Sequence, residues 1–197
     1  MRAFIAATLP EGTIREILIL QNELKGYIPE LKVEPADKIH ITLQFLGEIS
    51  ENEAHRLWVD FESAFTKSRF QFTELVVKGI EYFPGNIRPH GIWLACEDSG
   101  TIAEVANLVA AISERYGVKK EMRSFRPHIT VGRFRHRESD KTAFSVDLQM
   151  LFSEGKFLVN RFYPEGIVLY RSILRKTGSE YTQIYKITLE SRSGSNG

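Results

Sequence analysis

Hydrophobic and polar residues alternate along this chain in blocks whose period switches between that of a strand and that of a helix. Residues 2–9 read as a short buried strand stopped by Pro10. Thr13 with Glu16 forms a capping-box pattern, and Ile14, Ile17, Leu18 and Leu24 supply the helical face behind it. Pro29 and Pro35 bracket a loop with an extended piece at 31–33, and residues 39–46 are strand-like up to Gly47. Ser50 with Glu53 opens a second helix, carrying Ala54, Leu57, Trp58, Phe61, Ala64 and Phe65, and 70–77 follows as a strand. Phe83-Pro84-Gly85-Asn86 reads as a turn.

The same order then recurs. A strand at 92–96 precedes a third capping box, Thr101 with Glu104, and a helix through Ile102, Val105, Ala106, Val109 and Ile112 that Gly117 ends. A strand at 128–134, a weaker helix at 141–152 and strands at 156–162, 166–174 and 181–189 complete the pattern, with Thr177-Gly178-Ser179 as the last turn. The polar stretch 191–197 is expected to be a disordered tail. Two landmarks share one offset: Thr13/Glu16 and Thr101/Glu104 lie 88 residues apart, as do His40 and His128. This is the signature of an internal duplication. Its halves, about 1–80 and 90–190, are expected to face each other across a cleft within one bilobed domain, 1–190.

The duplicated landmark carries chemistry. His40-Ile41-Thr42-Leu43 and His128-Ile129-Thr130-Val131 place the same pattern on equivalent strands. Alternate strand residues share a face, roughly 6.5–7 Å apart. His40 and Thr42 therefore point one way while Ile41 and Leu43 enter the core, and His128 and Thr130 do likewise. Two imidazoles suit paired acid–base work near neutral pH, one removing a proton and the other donating one. Two threonine hydroxyls suit the non-bridging oxygens of a phosphoryl group. No zinc-like spacing and no Gly-rich phosphate loop appears, so the pattern reads as metal-independent phosphoryl transfer without a cofactor.

Composition narrows the partners. The chain has 197 residues, with 26 Lys+Arg against 25 Asp+Glu. A net charge of +1 excludes a protein that coats nucleic acid by bulk charge. Along the chain the balance is uneven: Arg115, Lys119, Lys120, Arg123, Arg126, Arg133, Arg135 and Arg137 against Glu121 make the window 115–137 +7, and the remainder is −6. The second motif lies inside that window, so Arg126 and Arg133 are the candidate phosphate contacts. Strict alternation would turn Arg133 away from His128, and its role requires a twist or bulge near the strand end. His55 and His136 read as surface residues, His90 as a turn residue, and Phe45 as core packing beside Ile41 and Leu43. The single Cys96 lies in an apolar run and cannot form an intrachain disulfide. With no apolar stretch near 20 residues and no signal-peptide pattern, a cytoplasmic protein without a membrane segment is expected.

The paired motifs resemble those of the two-histidine phosphoesterase superfamily, and specifically its RNA 2′,3′-cyclic phosphodiesterase (2′-5′ RNA ligase-like) family. The likeness covers nearly the whole chain. It includes Arg2-Ala3-Phe4-Ile5-Ala6 with Leu9-Pro10, the run from His40 through Gln44-Phe45-Leu46-Gly47-Glu48, Phe125-Arg126-Pro127 before the second motif, and Ile167-Val168-Leu169-Tyr170-Arg171-Ser172. It implies an α+β bilobed fold, with two antiparallel sheets, helices packed outside and the N- and C-terminal segments sharing one lobe. It also implies opening of RNA 2′,3′-cyclic phosphate ends to 2′-phosphates, with reversible 2′-5′ ligation as the related reaction. His40 would then protonate the departing 3′ oxygen and His128 activate water. Thr42 and Thr130 would hold the phosphate, and Arg133, three residues after Thr130, would add charge. The implied partner is RNA or an oligonucleotide with a cyclic phosphate end, tRNA halves among them, met by a monomer. Two other readings use the same residues: a non-catalytic binder of RNA ends, and a hydrolase with the histidines as metal ligands.

Overall fold

The structure, a computed structural model, describes residues 1–84, 88–97, 100–119, 124–134, 146–149, 161–175 and 178–189. Strand β1 (Arg2–Thr8) leads into helix α1 (Glu11–Tyr27), the two-residue strand β2 (Lys32–Val33) and a 3-10 turn, Ala36–Lys38. Strand β3 (Ile41–Glu48), helix α2 (Glu51–Ser68) and strand β4 (Leu75–Phe83) follow. Then come β5 (Gly91–Glu97), α3 (Thr101–Glu114), β6 (His128–Arg133), β7 (Arg161–Phe162), β8 (Gly166–Arg175) and β9 (Gly178–Thr188).

The strands form two sheets, ordered β3-β1-β8-β9 and β2-β6-β5-β4-β7, and every pairing is antiparallel. The 88-residue offset carries β1 onto β5, α1 onto α3, β3 onto β6 and β4 onto β8, all overlapping. Each half nevertheless gives away its last strand of the repeat. β8 pairs with β1, and β4 pairs with β5. The sequence halves are thus interleaved: each motif strand is an outer neighbour of its half's first strand, and β3 and β6 approach each other between the sheets. One apolar cluster joins both sheets to the helices, through Ile5, Ile41, Leu94 and Ile129 from the strands and Ile17, Leu57 and Ile102 from the helices.

The structure corrects several expected boundaries. Of the three expected capping boxes only that of Ser50 forms: its Oγ accepts from the Glu53 N–H, and Glu53 accepts from the Ser50 N–H. Helix α1 begins at Glu11 behind Pro10, so Thr13 lies inside the first turn and is buried, without a capping bond. Helix α3 begins behind Gly100, whose φ of 112° favours glycine. Thr101 Oγ1 donates to the Gln71 carbonyl instead of capping. What recurs at the 88-residue offset is the helix and not the cap. Strand β4 is Leu75–Phe83 where 70–77 was expected. Phe70 and Phe72 instead pack as aromatic neighbours of Phe65. The expected helix 141–152 falls largely outside the described residues, as do most of 156–162 and the tail.

Gly132 shows how tightly β2 seats on β6. A Cβ there would lie 2.9 Å from Leu31 side-chain carbons and 3.0 Å from the Lys32 carbonyl oxygen. Gly132→Ala is therefore expected to push β2 outward and cost about 1–3 kcal/mol. The midpoint of urea unfolding should fall accordingly, and an unchanged midpoint would show that the seat is loose.

Candidate active site

Each motif histidine is fixed by the same local bond. His40 Nδ1 lies 2.7 Å from the Lys38 carbonyl oxygen, and His128 Nδ1 lies 2.8 Å from that of Arg126. A carbonyl only accepts, so each Nδ1 carries the hydrogen and each Nε2 presents its lone pair. His40 Nε2 accepts from the Thr42 hydroxyl at 3.0 Å. Among the described residues no such bond joins His128 to Thr130.

The two motifs meet electrically. Burial pushes His40 down to about 4 from its ordinary 6.5; the Lys38 carbonyl opposes this, and the charges of Arg133 and His128 add to it. His128 is lowered too, first by burial, against the Arg126 carbonyl, and further by the charges of Arg133 and Arg126. Arg133 thus acts on both imidazoles, and His40 responds to His128. Both shifts favour the neutral imidazole at pH 7.

Arg133 reaches the cleft because β6 departs from strict alternation. Trp93 pairs with Thr130 while Ile92 pairs with Gly132, which leaves Val131 unpaired in the register. The bulge resets the faces after Thr130: Val131 is buried and Arg133 exposed. The first motif has the same break. Ala6 pairs with Thr42 and Ile5 with Gln44, skipping Leu43, which is 88 residues before Val131. Phe45, the counterpart of Arg133 at that offset, is turned out of the core and is 65% exposed. The expectation that Phe45 packs inside is therefore wrong, since it assumed an unbroken alternation.

Aromatic residues that the sequence reading left without roles line both sides. Phe4 lies 5.1 Å from the His40 ring, 6.1 Å from Phe45, 5.2 Å from Tyr170 and 4.9 Å from Tyr181. On the other side Trp93 packs 4.2 Å from the His128 ring and stacks on Phe83 at 4.8 Å. Trp93 Nε1 donates to Glu81, whose carboxylate is also 3.8 Å from Arg126. A hollow of ≈ 120 Å³ beside His128 is lined in part by Trp93, Ala95, Phe125 and Arg126. Register could have revealed these residues only once the bulges were known.

Among the described residues the basic window divides. Arg126 and Arg133 flank His128, whereas Arg115 pairs with Asp60 on α2 at 3.9 Å; Lys120, Arg123, Arg135 and Arg137 lie outside the described residues. His55 bonds the Tyr185 hydroxyl at the surface, and His136 is outside the described residues. His90 is exposed beside Phe83. Cys96 is buried, with its thiol pushed up to about 12. Among the described residues no three His, Cys, Asp or Glu side chains cluster as metal ligands, and no helix is long and apolar enough to cross a membrane.

The family model of the 2′-5′ RNA ligase superfamily matches residues 28–163, which hold both motifs. The chain belongs to that superfamily. Curated relatives named RNA 2′,3′-cyclic phosphodiesterase include one from Archaeoglobus fulgidus, 28% identical over 93% of this chain and 98% of the relative. Another, from Thermotoga maritima, is 27% identical over 96% of each. The fold is shared with solved structures: TT0787 of Thermus thermophilus has a TM-score of 0.75 at 24% identity, covering 96% of this chain and 98% of that one. E. coli LigT complexed with 3′-AMP has a TM-score of 0.72 at 22% identity, with the same coverage.

For this superfamily member the depressed histidines predict a stability effect. Between about pH 4 and 6.5 the unfolded chain binds a proton that folded His40 refuses, so stability is lost as pH falls through that window. In an NMR titration the His40 ring signals should move with a midpoint near 4, and those of His128 below 6.5. Midpoints at or above 6.5 would contradict the burial of the rings.

Proposed function

We propose that the chain is an RNA 2′,3′-cyclic phosphodiesterase, opening cyclic phosphate ends to 2′-phosphates by acid–base catalysis between His40 and His128. The observation that carries the reading is the pair of Nε2 lone pairs, each set by an Nδ1–H donated to a carbonyl and both within the field of one arginine. The names of the relatives support the substrate class.

Each residue has a role in one displacement. His128 Nε2 takes a proton from water as its oxygen bonds to phosphorus. The bond from phosphorus to the 3′ oxygen breaks, and protonated His40 Nε2 gives its proton to that oxygen. Two protons change hands, so the pair ends with its roles exchanged until solvent restores it. Thr42 and Thr130 donate hydroxyl hydrogens to non-bridging oxygens, and Arg133 and Arg126 bring positive charge to the anion. A bound phosphate places about −1 charge near both rings. At a separation of about 4 Å such a charge is worth about 4 kcal/mol near a protein surface, enough to restore a proton to His40. Phe45 offers a face for the terminal base, which accepts any base because all have a π surface. An RNA hydroxyl replacing water at His128 would give the 2′-5′ joining reaction. The natural partner is RNA with such an end, met in the cytoplasm by a single 1–190 bilobed unit.

With EDTA present, turnover of oligonucleotide 2′,3′-cyclic phosphates should persist. His40→Ala and His128→Ala should each lower kcat by about 10²–10⁴-fold. Full activity in either variant would overturn the reading, and salt-sensitive binding without turnover by the unaltered protein would favour an RNA-end binder. Because kcat/KM reports the free enzyme, its bell should peak below pH 6.5, between the two lowered histidines. It should move to higher pH in Arg133→Ala, which removes a charge that depresses both. A peak unmoved by that change would place Arg133 outside the site. Phe45→Ala should raise KM by roughly 5- to 100-fold, corresponding to stacking of about 1–3 kcal/mol, with little change in kcat.

A further inference from the structure

We infer that Glu34 is a positioning residue: it orients Arg133 towards the phosphate and registers the two motifs against each other. The inference rests on the phosphodiesterase reading of the site. Glu34 Oε1 accepts from Arg133 Nε at 2.7 Å, and its side chain is only 17% exposed. A carboxylate on Nε fixes the plane of the guanidinium while the two Nη groups point elsewhere, and among the described residues none of them has a partner. An acid beside an anion site would otherwise weaken binding by its charge. Its use here is geometric: it converts a long, flexible side chain into a fixed fork.

The backbone of Glu34 is held as firmly as its side chain. Its N–H donates to the Val131 carbonyl at 2.9 Å, extending the pairing of β2 with β6. Gln21, 2% exposed on α1, spends both amide hydrogens here, on the Glu34 carbonyl at 2.8 Å and the Val131 carbonyl at 2.9 Å. Val131 is the residue at the β6 bulge. Six residues later the same segment delivers His40 to the other sheet, by way of Pro35 and the 3-10 turn whose Lys38 carbonyl holds the imidazole. Residues 32–40 therefore form a strap with one end locked on the second motif and the other carrying the first. Burial raises the Tyr181 hydroxyl of β9, Glu34 adds to that and Arg133 opposes it, as expected for an ion pair near the aromatic wall of the first sheet.

The test is a double-mutant cycle of Glu34→Ala and Arg133→Ala, read both as kcat/KM on an oligonucleotide 2′,3′-cyclic phosphate and as affinity for adenosine 2′-phosphate. Glu34→Ala should lower both by about tenfold or more in the unaltered protein, because a loosened fork misses the phosphate. In the Arg133→Ala background the same change should do little. Glu34→Gln, which keeps an oxygen acceptor for Nε, should recover most of the loss. Equal losses in both backgrounds would make Glu34 a purely structural residue and overturn the inference, as would no loss at all. If the unaltered protein binds the nucleotide without turning over cyclic phosphate, the phosphodiesterase reading fails, and the binding cycle still decides the role of Glu34.

Discussion

An extra residue directly after each motif threonine, Leu43 in β3 and Val131 in β6, is the constraint on which the site depends. Without it, strand alternation would send the third residue after each threonine into the core. With it, the histidine, the threonine and that third residue share one face, and the apolar residues between them still reach the interior. The core contains Ile41, Leu43, Ile129 and Val131, all 5% exposed or less, while Phe45 and Arg133 stand outside. The bulge thus satisfies packing and chemistry together, and its repetition at the 88-residue offset makes the two half-sites alike.

What differs between the half-sites is the side chain that the bulge exposes. One strand presents an aromatic ring and the other a guanidinium. The first lobe surrounds His40 with Phe4, Tyr170 and Tyr181, and the second gives His128 a tryptophan and two arginines. Burial beside rings and like charge lowers both histidines for a shared reason: neither environment pays for an imidazolium until an anion arrives. On the proposed reading, the negative charge of a bound phosphate offsets that cost and turns one of the two bases into an acid.

Much of this was legible in the chain. The strand–helix order, the 88-residue offset and the paired His-x-Thr patterns pointed to two like sets of elements and put the histidines at the start of β3 and β6, which approach each other. The sequence also showed that Arg133 needed a twist or bulge, since residue parity alone turns it away. The same parity argument failed for Phe45, because a bulge leaves no mark in composition: Leu43 and Val131 look like ordinary core residues. Capping boxes at Thr13 and Thr101 failed for a local reason, as Pro10 and Gly100 start their helices earlier than the side chains imply. The exchange of β4 and β8 between sheets is a long-range pairing, and hydrophobic period cannot encode which sheet a strand joins. Glu34 escaped notice because an isolated acid after a two-residue strand gains its meaning only from the arginine it meets 99 positions later.

The central claim is that water, activated at one imidazole, displaces the 3′ oxygen protonated by the other. Phosphorus NMR of adenosine 2′,3′-cyclic phosphate turned over in ¹⁸O-enriched water tests it most directly. The account predicts a 2′-phosphate carrying one heavy oxygen, formed with EDTA present. A 3′-phosphate product would contradict the geometry assigned to the two histidines, and a product without heavy oxygen would contradict attack by water.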